Sequence, residues 1–121
     1  MRQIIFFVLI ASLISSCSSN DIGVDVKKSE SHYQLGLEFA QLGLFKNTID
    51  EFELAIKFNP DNPNIYRKKG LILFGMSRYD EAKTNFEKAI SLNPQDTQAY
   101  INLGMVNYTT CLLYTSDAAD E

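Results

Sequence analysis

PNIYRKKGLILFGMSRYDEAKTNFEKAISLNPQD, residues 63–96, is one unit of a period that runs through the middle of the chain. Gly70 has counterparts 34 residues away on either side, at Gly36 and Gly104. At the same spacing Phe86 repeats Phe52, Ala89 repeats Ala55, and Asn93-Pro94 repeats Asn59-Pro60. Leu35 and Leu103 stand two periods apart. Several independent columns sharing one period of this length mark stacked structural repeats rather than a single irregular domain.

Each unit reads as a pair of helices. Phe52, Ala55 and Ile56, then Phe86, Ala89 and Ile90, fall at i, i+3 and i+4 and so share one helix face. The pattern predicts five helices, over 30–43, 46–58, 63–76, 79–92 and 97–110. Pro60 and Pro94 close the second helix of each pair, because proline removes a donor and clashes with the turn before it. Asn62 before Pro63 is an N-cap followed by proline at the first helical position, and Asp96 is placed to cap the next helix. A glycine inside a helix costs about 1 kcal/mol against alanine. Its recurrence at 36, 70 and 104 therefore implies close helix approach, with Phe45, Phe52, Tyr79 and Phe86 filling the space between helices.

These residues resemble the tetratricopeptide repeat. The first unit, 29–62, carries Leu35, Gly36, Phe39, Phe45, Phe52, Ala55 and Pro60 on the signature positions. The second, 63–96, carries Tyr66, Gly70, Leu73, Tyr79, Ala82, Phe86, Ala89 and Pro94. A partial third unit, 97–110, opens with Tyr100, Leu103 and Gly104. Thr48, Lys69 and His32 depart from the usual alanine, leucine and aromatic, and are expected to loosen their units locally. The implied fold is all-α, an α–α superhelix of antiparallel helix pairs, truncated after about two and a half repeats. Such units cannot bury their apolar faces alone and depend on their neighbours.

The resemblance also implies a site. Positions two, five, nine and twelve of each unit line a concave groove in this family. Here they are Tyr33, Leu37 and Ala40; then Asn64, Arg67, Leu71 and Phe74; then Gln98, Ile101, Met105 and Tyr108. Leu37, Leu71 and Met105 make an apolar ladder at the repeat period. The family's carboxylate clamp uses Lys and Asn where this chain has Tyr33 and Leu37, so that recognition mode is not expected. An apolar, aromatic groove suits a hydrophobic peptide or helix. The alternative for these side chains is packing between repeats, which weighs most at Phe74 and Tyr108.

Both ends of the chain look foreign to the repeats. Residues 1–16 place Arg2 before an apolar run of eleven residues, Ile4 to Ile14. At ~1.5 Å per residue the run spans about half a bilayer core, which fits a signal segment better than a membrane span. Ile14-Ser15-Ser16-Cys17 resembles the lipobox of bacterial lipoproteins, which implies cleavage before Cys17 and acylation of that residue. Several acyl chains at ~0.8 kcal/mol per buried methylene make a firm membrane anchor. Ser18 resembles the outer-membrane sorting residue, which implies a protein facing the periplasm. An ordinary secretory signal is the alternative. Residues 17–28 read as a polar, lipidated tether. Residues 111–121, CLLYTSDAADE, resemble a transposase sequencing adapter translated in one frame, and are expected to lie outside the natural protein.

Charge and composition exclude several functions. The 121 residues carry 11 basic and 15 acidic side chains, a net charge of −4, and so lack the basic footprint of a nucleic-acid binder. One histidine and two cysteines leave no metal cluster or disulfide framework. His32 has no nucleophile or paired carboxylate at catalytic spacing. Asp50, Glu51 and Glu53, and Asp80 with Glu81, read as charge complementing helix dipoles rather than as an acid–base pair. No catalytic residue, cofactor, metal or small-molecule substrate is expected. The resulting expectation is a non-enzymatic, lipid-anchored adaptor of the bacterial envelope that recruits a protein or peptide. Two alternatives are the interaction arm of a larger enzyme and a self-associating solenoid.

Overall fold

The computed structural model describes residues 20–119. The expected signal segment 1–16 and the expected lipid site at Cys17 lie outside them. Five helices follow one another: α1 (Asn20–Gln41), α2 (Phe45–Phe58), α3 (Pro63–Gly75), α4 (Tyr79–Leu92) and α5 (Thr97–Ala119). No strand occurs among the described residues. Each helix packs on the next, α1 against α2 and α3 against α4 as pairs, and α3 also touches α5. The all-α stack of helix pairs expected from the period is what the structure shows.

The repeat is visible as repeated geometry. Gly43 and Ser77, one period apart, take positive φ of 74° and 60° in the turns within each pair. The bonds closing those turns repeat too: Leu44 N donates to Phe39 O and Arg78 N to Leu73 O, both at 2.9 Å. Gly36 lies against the ring of Phe52, and Gly70 against that of Phe86. The core falls into two clusters, Phe52, Ala55 and Ile65, then Ile49, Leu73, Ala82, Phe86 and Val106. The caps form as expected: Asn62 Oδ1 accepts from Asn64 N at 3.0 Å, and Asp96 Oδ1 from Ala99 N at 3.2 Å.

Each of the three departures finds a partner in the fold. Thr48 is fully buried, and its hydroxyl donates to Leu44 O at 3.1 Å, so no polar atom is stranded. His32 stacks on Phe58 at 5.6 Å and pairs through Nδ1 with Glu51 at 2.7 Å. Lys69 reaches Glu53 at 3.0 Å across the α2–α3 step. Glu51 and Glu53 are therefore engaged by side chains well inside α2, whose first turn holds no acidic residue, rather than by a helix dipole. Asp80 and Glu81 do sit in the first turn of α4.

Two helices are longer than the period predicts. α1 begins at Asn20, so residues 20–28 of the expected tether are helical, and α5 runs on to Ala119. Neither extension contains proline. Side chains 25–28 are exposed, as are those of 111–119, so residues 25–28 and 111–119 rest on local hydrogen bonds rather than on the core. Lys28 Nζ sits 5.3 Å over the Phe58 ring, and Ser29 Oγ donates to Ala55 O at 2.8 Å, where α1 joins the packed region. No described helix is long and apolar enough to cross a membrane.

Candidate interaction cleft

Helical spacing brings two faces together. On α1, Leu37, Ala40 and Gln41 stand at i, i+3 and i+4; on α3, Lys68, Leu71 and Ile72 do the same. These faces bound a cleft of ≈ 470 Å³, closed at its bottom by Phe52 of α2. The lining is mostly apolar, with Lys68 and Gln41 as its polar residues. Lys68 makes no ion pair among the described residues, whereas its neighbours Arg67 and Lys69 are both paired. Room exists because Ala40 occupies the position that Phe74 takes one unit later.

Of the residues expected to line a groove, Leu37, Ala40 and Leu71 meet in this cleft. Tyr33 lies on α1 one turn before Leu37, stacked on Phe52 with ring centroids 5.6 Å apart. Burial pushes the Tyr33 hydroxyl above the usual phenol range; the nearby Arg67 guanidinium opposes that shift and the Glu30 carboxylate adds to it. Arg67 is held away from the cleft, with Nε 3.1 Å from Asp96 Oδ2 and Nη2 donating to Asn64 Oδ1 at 3.1 Å. Phe74 packs edge-on against Tyr79 at 5.5 Å, beside the second core cluster. Gln98 donates to Asn102 Oδ1 on α5 itself. Ile101, Met105 and Tyr108 are exposed along α5 and do not line the cleft.

Sequence reasoning missed Gln41, Lys68 and Ile72. Each neighbours a groove position in sequence. The signal that could have found them is the small Ala40 facing the large Leu71, which leaves an opening flanked by whatever stands next to it. Among the described residues no group of three His, Cys, Asp or Glu side chains could hold a metal ion.

The tetratricopeptide repeat family model matches residues 29–62 and, in a second version, residues 63–96. The chain belongs to the tetratricopeptide-repeat (TPR) family. An uncharacterized protein of Methanocaldococcus jannaschii is 32% identical over 62 residues, 51% of this chain and 72% of that one. The second TPR of Spaghetti (RPAP3), solved bound to the HSP90 peptide SRMEEVD, superposes with a TM-score of 0.68 at 18% identity, covering 75% of this chain and 84% of that one. MamA superposes with a TM-score of 0.69 at 28% identity, covering 75% of this chain and 53% of that one. These likenesses fix the TPR stack.

Proposed function

We propose that this TPR chain is a non-enzymatic adaptor that holds a peptide or helical segment of a partner protein in the α1–α3 cleft, displayed at a bacterial envelope surface. The observation that carries the reading is the apolar cleft over Phe52, lined also by Lys68, which makes no ion pair among the described residues. An apolar anchor from the partner would enter between Leu37 and Leu71, and an acidic group beside it would meet Lys68. Peptide capture by a similar stack, as in the Spaghetti complex, supports this use of the fold. The anchor would be lipid on Cys17, with the outer membrane as the expected site; the lipobox-like residues 14–17 support that part of the reading.

Ala40→Phe tests the cleft. It fills the opening with the side chain that the next repeat already carries, and removes no packing. Peptides that carry an apolar residue beside a carboxylate should bind the native chain and lose at least about tenfold in affinity to the variant. Equal binding by a folded Ala40→Phe chain would place the partner elsewhere.

A further inference from the structure

The turns inside the two helix pairs share one hydrogen-bond pattern and differ in what they show to solvent. In the first unit Leu42-Gly43-Leu44-Phe45 stands where the second has Met76-Ser77-Arg78-Tyr79. Met76 and Tyr79 are half-buried against the second core cluster. Leu42, by contrast, is 72% exposed, Leu44 46% and Phe45 41%. The turn does not require an apolar side chain at Leu44, because Arg78 makes the same closing bond in the second unit. Stacking does not cover the tip either, since α3 already packs on α2 and leaves it bare.

Two further features say which medium the tip suits. Its amides are satisfied locally: Leu42 N donates to Glu38 O at 3.2 Å, Gly43 N to Ala40 O at 3.1 Å and Leu44 N to Phe39 O at 2.9 Å. These donors can enter hydrocarbon without being stranded. The tip is also flanked by positive charge. Lys46 follows directly, exposed and without an ion pair among the described residues, and no carboxylate lies between Glu38 and Asp50 in the sequence. In the matching turn the cation is already engaged, since Arg78 donates twice to Glu81, at 2.7 and 2.6 Å.

We propose that the Leu42–Phe45 turn is a membrane-inserting tip. It sinks Leu42, Leu44 and Phe45 below the headgroups of an anionic bilayer while the Lys46 ammonium stays at the phosphates. Burial of the apolar side chains drives the contact, and the lysine adds about 1 kcal/mol near an anionic surface. Four consecutive residues are too few for a stable protein interface, which takes about 800 Å² from each partner; a bilayer sets no such minimum. The tip is separate from the α1–α3 cleft, and the inference goes beyond the adaptor reading. It also fixes a posture. α1 has 22 residues, a length of about 33 Å, so a chain tethered before Asn20 brings this tip to the bilayer only when α1 lies along it.

The chain contains no tryptophan, so Leu44→Trp in the full 121-residue chain gives one local reporter. Arg78→Trp marks the matching turn as the control. The apolar run 4–14 is common to every variant, so differences between them read the turn alone. On vesicles of phosphatidylcholine and phosphatidylglycerol, Leu44→Trp emission should shift to the blue. Brominated acyl chains should quench it at least about twofold more than that of Arg78→Trp. Adding Leu42→Asp to Leu44→Trp should abolish the difference with unchanged circular dichroism, and Lys46→Glu should weaken it. Equal quenching in the two turns would overturn the proposal. So would a shift that survives Leu42→Asp or is indifferent to Lys46→Glu. A blue shift that grows with chain concentration in the absence of lipid would overturn it in favour of a second copy.

Discussion

Gly70 and Phe86 are in contact so close that a single added methyl would strike the ring: a β-carbon at Gly70 would fall 2.7 Å from Cε1 and 2.9 Å from Cδ1. Phe86 is fully buried and has no room to retreat. Gly70→Ala should therefore destabilise the stack by about 1–3 kcal/mol through overpacking. At Gly104, one period later, nothing stands within 4 Å. Gly104→Ala should stabilise the chain by up to about 1 kcal/mol, because only helix propensity is altered. Urea denaturation followed by circular dichroism reads both; the same sign for the two variants would contradict the asymmetry of the two glycines.

Ser77 holds a left-handed backbone that its counterpart Gly43 adopts without a side chain. Such a conformation costs a non-glycine residue roughly 1 kcal/mol. Ser77→Gly should raise the urea midpoint by an amount worth about 0.5–1 kcal/mol. A lower midpoint would show that the Ser77 hydroxyl matters more than its φ.

Burial raises the Tyr33 phenol above its ordinary value of 10.0, so the unfolded chain loses this proton at a lower pH than the folded one. The stabilisation is complete below 10.0 and is lost as pH rises through the higher folded-state value. Tyr33→Phe should flatten the alkaline fall in stability without abolishing it, because the Tyr66 phenol is raised as well, by burial and then by Asp61. Stability profiles of the two chains that run parallel across the alkaline range would rule this out.

Residues 111–119 are helical but wholly exposed. Deleting 111–121 should lower the helical signal by roughly the share of those residues and leave the stability of the repeats within about 0.5 kcal/mol. A larger drop would mean that this stretch supports the core.

Cys17→Ser tests the envelope anchor. Expressed in a Gram-negative host, the native chain should fractionate with membranes and the variant should not. Membrane retention of the variant would end the lipoprotein reading.

The repeats were legible because one period carries the same contacts twice. Gly36 with Phe52 and Gly70 with Phe86 follow from residue type and spacing, and so do the caps at Asn62 and Asp96. The helix ends were not legible, because Asp25 to Lys28 and the residues after Thr110 have no apolar period and no breaker. The cleft was half legible. Leu37, Ala40 and Leu71 follow from repeat position, but the role of Lys68 depends on how its neighbours are spent. Arg67 turns to Asp96, 29 residues on, and Lys69 turns to Glu53. Only the folded chain shows that Lys68, between them, has no ion pair among the described residues.

Asp96 serves two masters. One of its oxygens receives Ala99 N at 3.2 Å and the other faces Arg67 at 3.1 Å. The seating of the last helix is thereby keyed to a guanidinium that also lies near Tyr33. Any change that withdrew Arg67 from this carboxylate would thus reach the start of the last helix through a single side chain.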